Sequence, residues 1–253
     1  MDYKKLAVEI SNWIKKQVED ANAKGVVFGL SGGVDSAVVA VLCKEAFPQE
    51  HLALVLPCFS EKRDLKDAEL LIKKFSLSAK IINLEKVFLS FCEILGVDRQ
   101  EKDISVVNIK PRLRMVALYH FANKLNYLVV GTGNKSELTM GYFTKYGDGG
   151  VDILPLGDLT KSEVYKLAAK LNIPERIIKK TPSAGLWKGQ TDEGEMGIEY
   201  SLLDKIILEM EKRGKVTGVD KSAVEKVLER KRLSLHKLKP PAVFQLGLKN
   251  EEV

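Results

Sequence analysis

The sequence has only three cysteines, Cys43, Cys58 and Cys92, an odd number set far apart. That spacing excludes a disulfide framework and any CxxC metal site, and it points to a reducing cytoplasm. Three histidines, His51, His120 and His236, are equally scattered and give zinc no support. No apolar run approaches the ~20 residues that span a bilayer, so no membrane partner is expected. The opening "MDYKKLAVEISNWIKKQ" lacks the apolar core and cleavage site of a signal peptide. Leu6, Ile10, Trp13 and Ile14 instead recur at helical spacing and predict an amphipathic helix. Runs of five or six bases, the usual mark of a nucleic-acid tail, are also missing. Residues 204–253 carry 12 Lys plus Arg against 8 Asp plus Glu, and the whole chain is +6. This mild excess suits a polyphosphate ligand as well as it suits RNA. Internal repeats, low-complexity segments, a Walker A loop and a GxGxxG fingerprint are absent too.

What remains is an ordinary globular composition, 45% hydrophobic and 29% charged over 253 residues, long enough to bury a sizeable core. Short apolar runs alternate with helical patterns. "KGVVFGL" (24–30), "HLALVLP" (51–57), "AKIINL" (79–84) and "NYLVVGTGN" (126–134) read as strands, with "VDILPL" (151–156) a fifth. Between them, 35–47, 64–75 and 110–125 read as helices. A further helix at 160–171 opens with the capping box Thr160 to Glu163. Such alternation predicts an α/β, Rossmann-like fold: a doubly wound, parallel, five-stranded sheet with helices on both faces. The chain reads as a single domain, 1–253. Its aperiodic stretch 180–197 is expected to be a mobile loop, and 199–253 a helical C-terminal part.

The sharpest signal is "FGLSGGVDS" (28–36), where a strand should become a helix. In open parallel sheets ligands bind beyond the carboxyl ends of the strands, where strand order reverses. Gly32 and Gly33 let the backbone turn tightly and approach a ligand. Free N–H groups at the helix start favour an anion, and Ser31 and Ser36 add hydroxyls. Asp35 is poor company for a phosphate unless it carries a cation such as Mg²⁺. The plainer reading is a turn with Asp35 as a helix cap.

The stretch resembles the SGGxDS pyrophosphate loop of the ATP pyrophosphatases, which cleave ATP between the α- and β-phosphates. Three further stretches narrow the resemblance: "GTGNKSELTMGYFTKYGDGGVDILPLGDLTKSEVY" (131–165), "KTPSAGLWKGQTDE" (180–193) and "HK" (236–237). Together they are similar to ammonia-dependent NAD⁺ synthetase, from about residue 24 to the C-terminal region. Ser183 stands where threonine is usual and Gly185 where an acid is common.

The resemblance implies an adenine nucleotide alpha hydrolase-like fold and a two-stage reaction. The nicotinate carboxylate of deamido-NAD⁺ attacks the α-phosphate of ATP, and ammonia then displaces AMP from the adenylate. It implies that Gly29, Leu30, Ser31, Gly32, Gly33, Val34, Asp35 and Ser36 cradle ATP, with Thr132 and Ser183 as further ATP contacts. Asp35 and Glu137 become the Mg²⁺ carboxylates. Lys161 becomes the catalytic cation on the phosphates, and Arg112, Lys145, Asp152, His236 and Lys237 hold deamido-NAD⁺. Asp148 is expected to attract ammonium and take its proton. Ser183 and Lys188 are expected to engage phosphates as the loop closes. Plainer readings stand beside these: Lys161 as a solvated lysine, His236 as a surface residue, Asp148 as a turn residue. A homodimer is expected, with deamido-NAD⁺ partly at the subunit interface, and the chain leaves no room for a glutaminase domain. The competing classes are an RNA-modifying ATP pyrophosphatase that adenylates a tRNA base, and a noncatalytic nucleotide-binding module of the same fold.

Overall fold

Apolar runs of four or five residues, each followed by a stretch of helical period, generate the alternation of elements. In the computed structural model, which describes residues 1–98, 100, 103–187 and 189–244, α1 (Tyr3–Asp20) leads into β1 (Gly25–Gly29) and α2 (Val34–Ala46). There follow β2 (His51–Val55), α3 (Lys62–Phe75), β3 (Ala79–Ile81), α4 (Glu85–Leu95), α5 (Ile104–Val107), α6 (Ile109–Leu125) and β4 (Tyr127–Val130). The remainder is helical: α7 (Lys135–Met140), α8 (Lys161–Lys170), α9 (Glu175–Ile178), α10 (Asp192–Met196), α11 (Tyr200–Arg213) and α12 (Lys221–Leu238).

The four strands are all parallel, in the order β3-β2-β1-β4. Strand order therefore reverses at β1, and the crevice between the carboxyl ends of β1 and β4 is the switch point where α/β sheets hold ligands. The sheet has four strands rather than the five expected. Residues 151–156 contribute a single parallel bridge, Val130 to Ile153. The Asp152 carboxylate accepts the Val129 N–H that a strand carbonyl would otherwise take, and Pro155 has no N–H to continue the ladder.

Alternation along β1 divides the core. Val26 and Phe28 face a cluster with α1, α2 and α8, including Ile14, Val38, Leu42, Val164 and Leu167. Val27 faces the opposite cluster, with Leu54, Phe88, Leu118 and Val129 beneath α4 and α6. Ala7, Ile10, Ile14 and Val18 bury one side of α1, whereas Trp13 is 40% exposed. A third cluster joins α7, α10, α11 and α12 through Met140, Met196, Tyr200, Leu203, Ile206 and Val227. Within 199–244 the chain forms α11 and α12; residues 245–253 lie outside the described residues. The stretch 180–197 is not wholly irregular, since α10 occupies its end, capped by the Thr191 side chain on the Gly194 N–H. Five residues are too few to show a period. Among the described residues no helix is long and apolar enough to cross a membrane.

Candidate active site

Three helix N-termini converge on the crevice, and each is built by a short local signal. The turn after β1 is closed by the two serines. Ser36 Oγ lies 3.0 Å from Ser31 Oγ and donates to the Gly33 carbonyl. The Gly33 N–H donates to Ser31 Oγ at 3.2 Å. Gly32 has φ +81°, and a Cβ there would fall 2.4 Å from the Asp64 carbonyl, so the position requires glycine. This brings Asp35 to the first turn of α2.

After β4, Asn134 caps α7. Its side chain accepts from the Glu137 N–H, and Glu137 Oε2 accepts from the Asn134 N–H. This capping box fixes the Glu137 carboxyl beside Asp35, to which Asn134 Nδ2 also donates at 3.0 Å. The third terminus is that of α8, where Glu163 accepts from both the N–H and the hydroxyl of Thr160. Lys161 is thereby held at the first helical position. Asp204 of α11 binds this corner, accepting from Ser136 Oγ and from the Ser162 N–H.

A lysine in a first helical turn opposes the helix dipole, and this one is only 2% exposed. Its compensation is direct: Nζ lies 2.6 Å from Asp35 Oδ2 and 3.1 Å from Glu137 Oε1. Burial by itself would push Lys161 down, but Asp35 and Glu137 outweigh it and hold the ammonium charged, above its ordinary range. Burial pushes the Glu137 carboxyl up to about 7; Lys161 pulls it down, and the negative charge of Asp35 adds to the rise. The ammonium also lies 5.1 Å from the centre of the Tyr200 ring.

Behind the ring sits a carboxylate that falls within the 180–193 stretch but had no expected role. Asp192, 4% exposed, accepts from Tyr200 Oη at 3.0 Å. Among the described residues its buried Oδ1 has no hydrogen-bond partner. Burial raises its pKa, and Lys161 lowers it. One cation therefore faces three carboxylates. Among the described residues, no group of three or more His, Cys, Asp or Glu side chains is placed to hold a metal alone. Two hard carboxylates with surplus negative charge nevertheless suit Mg²⁺, which is usually completed by phosphate oxygens and water.

The other expected contacts form a separate rim. Lys145 Nζ donates to the His236 carbonyl at 2.6 Å, and Arg112 reaches the Lys145 carbonyl at 3.5 Å. Lys237 ties α12 to the carbonyls of Gly141 and Phe143. Asp148 lies exposed on the same turn, accepting from the Thr144 N–H. Lys237 feels its negative charge. Asp152 stands apart, with one oxygen on the Val129 N–H and the other on Tyr119 Oη. Thr132 lies half-buried in the β4–α7 turn. Ser183 is exposed and accepts the nearby Gly185 N–H; among the described residues no contact joins it to Asp35, Glu137 or Lys161. Lys188 lies outside the described residues. Asn134 had a usable signal in its Asn-x-x-Glu spacing; Asp192 lay inside the 180–193 stretch but was given no role there, and Tyr200, brought in by α11, had no signal.

Comparison with known proteins identifies relatives of the whole chain. The family model described as NAD synthase matches residues 6–241. The NH(3)-dependent NAD(+) synthetase of Carboxydothermus hydrogenoformans is 47% identical over 227 residues, 89% of this chain and 93% of that protein. Among solved structures, an NMN synthetase from Francisella tularensis superposes with a TM-score of 0.89 at 36% identity, covering 97% of this chain and all of that one. An NH3-dependent NAD synthetase from Campylobacter jejuni superposes with a TM-score of 0.83 at 33% identity, again covering 97% and 100%.

Proposed function

The chain belongs to the NAD synthase family, and from that premise we propose that Asp35, Glu137 and Lys161 form the ATP-activating centre of its reaction. The enzyme amidates deamido-NAD⁺ with ammonia at the expense of ATP, releasing NAD⁺, AMP and pyrophosphate. The RNA-modifying alternative finds no support among these relatives. The observation that carries the residue assignment is the buried Lys161 ammonium, held between carboxylates from the ends of β1 and β4.

A carboxylate resists direct amidation because oxide is a poor leaving group, whereas AMP is a good one. The chemistry therefore needs charge stabilised on phosphates and two nucleotides held in line. The Gly32–Ser36 turn supplies amides and hydroxyls to the departing pyrophosphate. Lys161, already aimed into the crevice, offsets charge that develops at the α-phosphate. Asp35 and Glu137 would hold Mg²⁺, which when bound neutralises phosphate charge. The basic rim of Arg112, Lys145, His236 and Lys237 receives deamido-NAD⁺, and Asp148 on that rim draws in ammonium and takes its proton. Three free, buried cysteines favour a reducing, cytoplasmic setting.

Two copies associate through the face of α4 and α6. Val87, Phe91, Ile94, Leu95 and Val116 are exposed there, Ile94 by 79%, around an open groove lined by Leu84, Leu113, Ala117 and Phe121. Apolar exposure of this extent on two adjacent helices marks an interface. Sedimentation at micromolar concentration should give a dimer; a fully active monomer would remove it.

The function is tested by incubating the protein with ATP, Mg²⁺, ammonium and either deamido-NAD⁺ or nicotinic acid mononucleotide. The mononucleotide is included because of the likeness to an NMN synthetase. NAD⁺ and AMP should form in equal amounts with the dinucleotide. Turnover confined to the mononucleotide would redirect the assignment.

A further inference from the structure

Lys180 begins the segment between α9 and α10, and its ammonium reaches across to α3 and to the turn after β1. It pairs with the Asp64 carboxylate, lies 3.3 Å from Asp67 Oδ2, and donates to the Gly32 carbonyl at 3.4 Å. Asp67 is 1% exposed and also receives Arg176 at 2.7 Å. The exposed Arg63 also reaches Asp67 at 4.0 Å, so Asp64 and Asp67 face three cations in all, and Lys180 is one of several positive charges behind the turn. Its distinct contribution is geometric.

In a trans peptide the carbonyl of one residue and the N–H of the next point in opposite directions. Whatever holds the Gly32 carbonyl therefore aims the Gly33 N–H. Lys180 draws that carbonyl to the outer side, against α3. The Gly33 N–H then faces the inner side, where Ser31 Oγ now accepts it. A Gly-Gly peptide has no side chain to bias its plane, so an external holder matters here more than elsewhere. We propose that Lys180 is a positioning residue that orients the Gly32–Gly33 peptide so that the Gly33 amide points at the phosphates of ATP. This rests on reading the turn as the ATP site. Lys180 touches no reacting atom, and no sequence motif of the turn includes it.

The test compares wild type, Lys180→Met, Asp64→Asn and Arg176→Met, with ATP affinity measured calorimetrically in Mg²⁺ and KM measured for each substrate. Losing a charge-assisted hold should weaken ATP binding by about tenfold in Lys180→Met, with KM for deamido-NAD⁺ within about twofold. Asp64→Asn, which only loosens the lysine, should show a smaller loss in the same direction. Arg176→Met removes a partner of the same Asp67 but does not touch Gly32. It should lower the thermal midpoint and leave ATP affinity unchanged. Unaltered ATP affinity in folded Lys180→Met, or in Asp64→Asn should the first not fold, would overturn the proposal. So would an equal loss in Arg176→Met, which would assign the effect to general loosening of α3. Wild type that binds no ATP would instead remove the reading of the turn on which the proposal rests.

Discussion

Glu137 serves two structures with one carboxyl. One oxygen completes the cap of α7 and the other meets Lys161. Glutamine can keep the cap and lose the charge, so Glu137→Gln separates chemistry from folding. Lys161→Met is more severe, because it leaves Asp35, Glu137 and buried Asp192 without their shared cation. By analogy with removal of a single preorganised charge-stabilising donor, turnover should fall by about 10²–10³. The same variant should gain more thermal stability from Mg²⁺ than wild type does, because a divalent cation relieves repulsion that Lys161 otherwise relieves. An equal gain would mean that the carboxylates do not hold the metal together. Asp35 was legible in the glycine turn itself, whereas Glu137 and Lys161 were expected from the family resemblance; the cap that places Glu137 emerges from the structure. Asp192 and Tyr200 had no expected role. Their approach to Lys161 depends on how the helices after the sheet fold back, and no local spacing encodes that.

At the level of elements, His51 shows how a strand end is pinned. The ring is 2% exposed, with Nδ1 2.7 Å from the Phe47 carbonyl and Nε2 accepting the Ser78 N–H at 3.0 Å. Only the neutral tautomer with its proton on Nδ1 satisfies both contacts. Burial lowers the pKa of His51, with the Phe47 carbonyl opposing, so the unfolded chain binds the extra proton more readily. This contribution is complete above the unfolded value of about 6.5 and is lost as pH falls through the depressed folded value. Urea unfolding at pH 7.5 and 5.5 should show wild type losing more stability than His51→Gln. Parallel loss in both proteins would contradict the assignment. Strand runs and helix periods were readable along the chain, but the fifth strand was not. "VDILPL" has strand composition, yet the Asp152 side chain and Pro155 leave it one bridge. Whether an apolar run pairs depends on side-chain competition for backbone groups, which hydropathy does not report.

Over the whole molecule, two carboxylates 102 positions apart in the chain meet because strand order reverses at β1, with β4 on the side away from β2. The crevice so formed carries Asp35, Glu137 and Lys161 at its floor. In the proposed reaction this crevice joins the nicotinate carboxylate to the α-phosphate before ammonia arrives. Oxygen-18 placed in the carboxylate of deamido-NAD⁺ follows that bond. The enzyme is turned over with ATP, Mg²⁺ and ammonium, and the products are weighed by mass spectrometry. One labelled oxygen should appear in AMP and the other should remain in the amide of NAD⁺. Unlabelled AMP, or label recovered in inorganic phosphate beside ADP, would contradict the account.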